Sequence, residues 1–152
     1  MARMTRRRSA QQVDTTPGVK CCTGGVCDPQ RVQGLKAPAP KGTHTLINLT
    51  GPGLFVAGHV SKQGGTNGLT FVRLQIDGRS VVDISFAGAH NLGFTQQNPY
   101  GLVLLGGGGL QNLTFGWPEP LVYKRNLTLS VVVNEPGIVQ ILANVIRGSA
   151  IC

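Results

Sequence analysis

The chain has 152 residues, 13% of them charged, and a formal net charge of +8. That length suits one domain with an extension, and a charged fraction about half the ~25% of an average domain excludes a charge-laced helical protein. No stretch approaches the roughly 20 continuous apolar residues of a membrane-spanning helix, and no apolar signal segment follows the N-terminal arginines, so the expected compartment is a cytoplasm.

Residues 1–41 hold eight Lys/Arg against two Asp/Glu, whereas residues 42–152 hold six against four. Arg3, Arg6, Arg7 and Arg8 form the densest basic cluster, and Thr16-Pro17-Gly18, Gly24-Gly25 and Ala37-Pro38-Ala39-Pro40 punctuate the segment. Without apolar periodicity it cannot bury enough surface to fold alone. The expectation is an extended basic arm over 1–41 that orders against a neighbour, and a sandwich domain over 42–152. The arginine cluster suits a solvated, disordered N-terminus in the first place, and docking on an acidic protein surface in the second. It has no interleaved aromatics for stacking bases, so nucleic acid would be held only through phosphates, with strong salt dependence.

All four cysteines lie near the ends: Cys21, Cys22 and Cys27 in the arm, and Cys152 as the last residue. A fold usually buries a structural cysteine as a small apolar residue. Thiols on an arm and a terminus can instead reach another chain, which makes Cys21, Cys22, Cys27 and Cys152 candidates for inter-subunit disulfides. Zinc is a weaker alternative, because structural sites pair two Cys-x2–4-Cys elements whereas Cys21-Cys22-x4-Cys27 is a single cluster. Reduced, inert thiols are a third possibility.

From His44 onward short apolar runs alternate with Gly, Pro and Asn, the pattern of an all-β chain. Strands are expected at Thr45–Thr50 and Leu54–Ser61, then at Thr70–Ile76 and Ser80–Phe86 around the Asp77-Gly78 hairpin turn. Val72, Leu74 and Ile76 share one face of their strand. Residues 87–100 read as a loop. Leu102–Leu105, Leu110–Phe115, Leu121–Tyr123, Asn126–Val133 and Ile138–Ile146 complete nine strands. Two packed antiparallel sheets are expected, jelly-roll-like or a related sandwich, with a small barrel as the alternative. The last strand is apolar on both faces. Ile138, Leu142 and Ile146 therefore become partner-contact candidates, joined by Trp117 in the rigid Trp117-Pro118-Glu119-Pro120 segment.

Signals for catalysis are poor. His44, His59 and His90 belong to no ligand motif, Asp77 is explained by its turn, and Glu119 and Glu135 adjoin prolines. Gly106–Gly109 lacks the Lys-Ser/Thr and the helix of a phosphate loop. The three Asn-Leu-Thr triplets at Asn48, Asn112 and Asn126 match the glycosylation pattern, but they read as strand-edge residues without a secretion signal. The expectation is a non-enzymatic protein without metal or cofactor.

Three stretches, Leu46-Ile47-Asn48-Leu49-Thr50-Gly51-Pro52-Gly53, Leu74-Gln75-Ile76-Asp77-Gly78 and Pro120-Leu121-Val122-Tyr123-Lys124-Arg125-Asn126-Leu127-Thr128-Leu129, together resemble the small β-sandwich virion proteins of tailed bacteriophages. The likeness spans roughly residues 44–146 and leaves the arm outside it. It implies a structural role in a particle assembled in the host cytoplasm: decoration or linking of the capsid, or a place in the neck, collar or tail. It further implies contacts with the major capsid protein or other virion proteins, and a homo-oligomer such as a trimer at a local three-fold. The cysteine-bearing arm departs from that pattern and favours a covalently linked form. The competing reading is a nucleic-acid-binding viral coat protein with a basic arm.

Overall fold

The computed structural model describes residues 26–107 and 109–149. Nine strands run in chain order: β1 (Cys27–Lys36), β2 (Gly42–Thr50), β3 (Gly53–Gly64), β4 (Thr70–Ile76), β5 (Arg79–Ser85), β6 (Leu102–Gly107), β7 (Leu110–Tyr123), β8 (Asn126–Val133) and β9 (Ile138–Ser149). One short helix, α1 (Phe86–Asn91), lies between β5 and β6. The strands form two antiparallel sheets, ordered β1-β9-β3-β7-β6 and β2-β8-β4-β5. Without β6 this is the strand order of an eight-stranded jelly roll, and β6 is a ninth strand hairpinned onto β7.

The roll needs β1, which lies in the segment expected to be an arm. The folded body therefore starts at least as early as Cys27 rather than at residue 42, and Cys27 is 3% exposed within a sheet instead of free to cross to a neighbour. The sequence concealed this strand because it is an edge strand. Its outer positions run Arg31, Gln33 and Leu35, and its inner positions are only Val32 and Gly34, so no apolar alternation develops. Gly34 is the joint between the sheets: a Cβ there would strike the Leu46 carbonyl of β2. Cys21, Cys22, Cys152 and the arginines at 3, 6, 7 and 8 lie outside the described residues.

The core follows from period-2 alternation. Val72 and Leu74 of β4, Leu127, Leu129 and Val131 of β8, and Ile141, Ala143 and Val145 of β9 are all fully buried. Phe55 and Phe115 stack at 6.0 Å between centroids across β3 and β7. Residues expected as a loop contain α1 instead. Ser85 ends β5 and caps the helix, its hydroxyl accepting from Gly88 N at 2.9 Å. Phe86 and Ala89 then plug the sandwich between β5 and β6. The chain beyond α1 covers the outer edge of β6: Leu104 N donates to Phe94 O at 2.6 Å, and Asn98 Nδ2 to Leu102 O at 2.6 Å. Covering an edge this way removes a template for unwanted strand pairing.

Three separate stretches singled out in the sequence converge at one end of the roll. Asp77 and Gly78 both take positive φ, 51° and 82°, as their tight hairpin demands. The Asp77 carboxylate then accepts from Lys124 N at 2.8 Å, Arg125 N at 2.7 Å and Asn126 N at 3.1 Å, tying the β4–β5 turn to the β7–β8 turn. Gly51 N donates to Arg125 O at 2.7 Å. The hydrogen bonds from Lys124 and Arg125 hold the Asp77 carboxyl below its ordinary range. A lowered folded value gives stability that is present above the ordinary carboxylate range and lost as pH falls through it. Asp77→Ala will therefore lower the melting temperature at neutral pH, and the gap from the parent will narrow in acid. Thermal melts across pH check both.

Candidate partner-contact surface

Two places in the roll gather chemistry. The first is inside it, at the end opposite Asp77's cluster. Lys62 continues the inward phase of Val60 on β3 and is 2% exposed. Its ammonium donates to Glu135 Oε1 at 2.7 Å and lies 5.2 Å from the centroid of the Phe86 ring. Thr70 Oγ1 donates to the same carboxylate oxygen at 2.7 Å. Glu135 Oε2 accepts from three successive backbone N–H groups: Thr66 at 2.8 Å, Asn67 at 3.0 Å and Gly68 at 3.0 Å. Glu135 itself is 1% exposed. Burial alone raises a carboxyl pKa, but here the donors, led by Lys62 and Thr70, outweigh it and hold Glu135 at about 2.

A buried carboxylate with a displaced pKa is a common mark of a catalytic group. Here five donors saturate it, and a carboxylate that takes up a proton only near pH 2 is a poor general base. A pocket of about 330 Å³ lies alongside, lined by Lys62, Thr66, His90 and Gln111 among others, but Lys62 is already committed. The cluster orders the β3–β4 connection. Sequence reading passed over Glu135 as a loop residue. The available signal was Lys62, a lysine in the inward phase of an apolar strand, which requires a buried anion.

The second place is the outer face of the five-stranded sheet. Register places Gln33, Asn144, His59, Thr114 and Val103 in one cross-strand row, and Leu35, Leu142, Ser61, Asn112 and Leu105 in the next. Leu110, Gln63 and Gln140 extend it at one end, and Ala57, Ile146 and Arg31 at the other. Arg31, at the β1 edge, is the one Lys, Arg, Asp or Glu in these rows. Exposed aliphatic groups stud them: Leu35 is 60% exposed, Leu110 59%, Leu105 50% and Ile146 44%. Asn144 Nδ2 donates to His59 Nε2 at 3.0 Å in the centre. The Asn112 and Asn144 side-chain oxygens are covered and lack donors among the described residues.

The other sheet differs. Its outer face carries Asn48 hydrogen-bonded to Thr128 at 3.3 Å, Gln75, and the half-exposed Arg73–Asp83 ion pair at 3.1 Å. That face is charged and polar over part of its area, with Phe71 paired to Val132 at one end. The face of the five-stranded sheet, with its one charge at the β1 edge and scattered exposed leucines, has instead the composition of a contact surface, whose centre is depleted in charge.

Of the sequence-predicted contact residues, Leu142 and Ile146 meet on this face. Trp117 borders it, packed against Phe55 at 6.2 Å with its indole N–H donating to Tyr100 O at 3.2 Å. A groove of about 640 Å³ runs beside it, with His59, Asn98, Trp117, Asn144 and Ile146 in its lining. Ile138 does not join them. A register irregularity beside it, between Gln63 and Gly64 of β3, breaks the strand's phase, and Ile138 packs into the core at 6% exposure. Among the described residues no three His, Cys, Asp or Glu side chains cluster to hold a metal, and no helix is long and apolar enough to cross a membrane. No family model matches the chain, and comparison with curated proteins returns no match.

Proposed function

We propose that this protein is a structural component of a tailed-phage virion, decorating or linking the capsid shell. The observation that carries the proposal is the outer face of the five-stranded sheet, whose one charge among the described rows is Arg31 at its edge, with Leu35, Leu105, Leu142 and Ile146 presented together. The sequence resemblance around Asp77-Gly78 and Lys124–Asn126 supports it, because those stretches form one joint of the roll. On this reading the face meets another virion subunit, the arm runs over neighbouring capsid protein, and Cys21, Cys22 or Cys152 joins chains covalently. Cys27, the remaining candidate, is buried in β1.

Purified particles test this in two ways. Quantitative mass spectrometry should find the chain in hundreds of copies for a shell protein, whereas a single ring's worth moves it to the neck, collar or tail. Denaturing gels without reductant should show bands above 16.0 kDa. A single monomer band ends the covalent part of the proposal, and absence from particles ends the whole of it.

A second reading has an observation in its favour. The jelly-roll strand order suits a viral coat protein, and the arginine cluster at residues 3–8 could neutralise packaged nucleic acid. Fold alone does not assign function. Salt-sensitive RNA binding that disappears when residues 1–8 are deleted would move the balance to it.

A further inference from the structure

Asn67 is the one asparagine in the chain followed by glycine. Asn-Gly is the dipeptide most prone to spontaneous deamidation, since glycine leaves the following backbone nitrogen unhindered. In that reaction Gly68 N attacks Asn67 Cγ and gives its proton to solvent. The new C–N bond closes a succinimide, and the side-chain nitrogen departs as ammonia. Water then opens the ring at either carbonyl, giving aspartate or isoaspartate.

The attacking nitrogen is engaged elsewhere in this fold. Gly68 N donates to Glu135 Oε2 at 3.0 Å, and Asn67 N donates to the same oxygen at 3.0 Å. Asn67 Oδ1 is turned to accept from Leu69 N at 3.2 Å. Gly68 is held at φ +69°, with Ala87 N donating to its carbonyl at 2.9 Å. Both the nucleophile and the electrophilic amide are thus fixed in other hydrogen bonds, on either side of the peptide that would have to rotate. Glu135 is anchored in turn by Lys62 and Thr70.

We propose that Asn67 is a latent modification site kept closed by the Glu135 clamp. Deamidation then proceeds only from molecules in which the clamp has opened, and its rate follows the open population. The inference is independent of the virion reading. It concerns any setting in which the protein persists without renewal, and the new carboxylate would appear next to Glu135, where a like charge opposes reclosing.

The test uses the full chain incubated in mildly alkaline buffer, with peptide mapping for the mass gained when an amide NH₂ becomes OH, and for isoaspartate. In urea, Asn67 should convert ahead of every other asparagine. In native buffer it should convert at least about a hundredfold more slowly, the ratio that an opening free energy near 3 kcal/mol gives. Glu135→Gln should restore fast conversion at Asn67. A core variant such as Val60→Ala, brought to the same melting temperature by choice of conditions, should not. Equal rates in native buffer and urea overturn the proposal. So does equal acceleration in the matched core variant, because protection would then be a property of the whole fold.

Discussion

Glu135→Ala lowers the stability of the domain by about 3–5 kcal/mol, the cost of leaving one member of a buried ion pair unpaired. The Lys62 ammonium, 2% exposed, would lose its carboxylate, and the N–H groups of Thr66, Asn67 and Gly68 would lose their shared acceptor. For a domain of this size that is a fall of roughly 10–20 °C in melting temperature. Acid should produce part of the same loss. Folded Glu135 is held at about 2 against an ordinary 4.5. Its contribution, about 3 kcal/mol at 1.36 kcal/mol per pKa unit, is full above pH 4.5 and disappears as pH falls towards 2. Urea titrations at several pH values measure both effects. The double replacement Lys62→Met with Glu135→Leu should recover much of the stability, since an apolar pair of similar volume often matches a buried ion pair. Its β3–β4 connection should still exchange amide hydrogens faster, having lost the acceptor for three N–H groups.

Gly34→Val is the second large loss, about 3 kcal/mol or more, at the upper end of overpacking costs. The obstacle to a Cβ at Gly34 is the Leu46 carbonyl, followed by its carbon at 2.7 Å and Ile47 Cγ1 at 3.1 Å. Backbone cannot rotate aside as a side chain can, so β1 must move away from β2. This variant separates the two accounts of residues 27–36. If they form the first strand of the roll, a chemical denaturation curve shifts to much lower midpoint. If they were an arm lying outside the body, valine would leave the midpoint unchanged.

The parts of this fold that could be read from the sequence are those set by local chemistry. Val72, Leu74 and Ile76 alternate with Arg73 and Gln75, and Asp77-Gly78 supplies the positive φ that the turn requires. Neither signal depends on distant residues. The apolar character of both faces of β9 also singled out Leu142 and Ile146, which lie on the outer face of a central strand that buries its other face. Ile138 failed the same rule, since a register irregularity at its end of the strand cannot be seen in alternation. β1 has no period to detect, because Val32 and Gly34 are its only inward pair and Leu35 follows Arg31 and Gln33 on the outer side. The Lys62–Glu135 pair spans 73 residues, and Lys62 alone announced that some anion was buried without saying which.

The proposed virion role depends on the outer face of the five-stranded sheet being a contact surface. A density map of the intact particle, resolved well enough to place the roll, tests that most directly. The expected result is that Leu35, Leu105, Leu142 and Ile146 are covered by another subunit while the Arg73–Asp83 face of the four-stranded sheet looks to solvent. A roll seated on its four-stranded face with those leucines bare, or a particle in which the roll is absent, would contradict it.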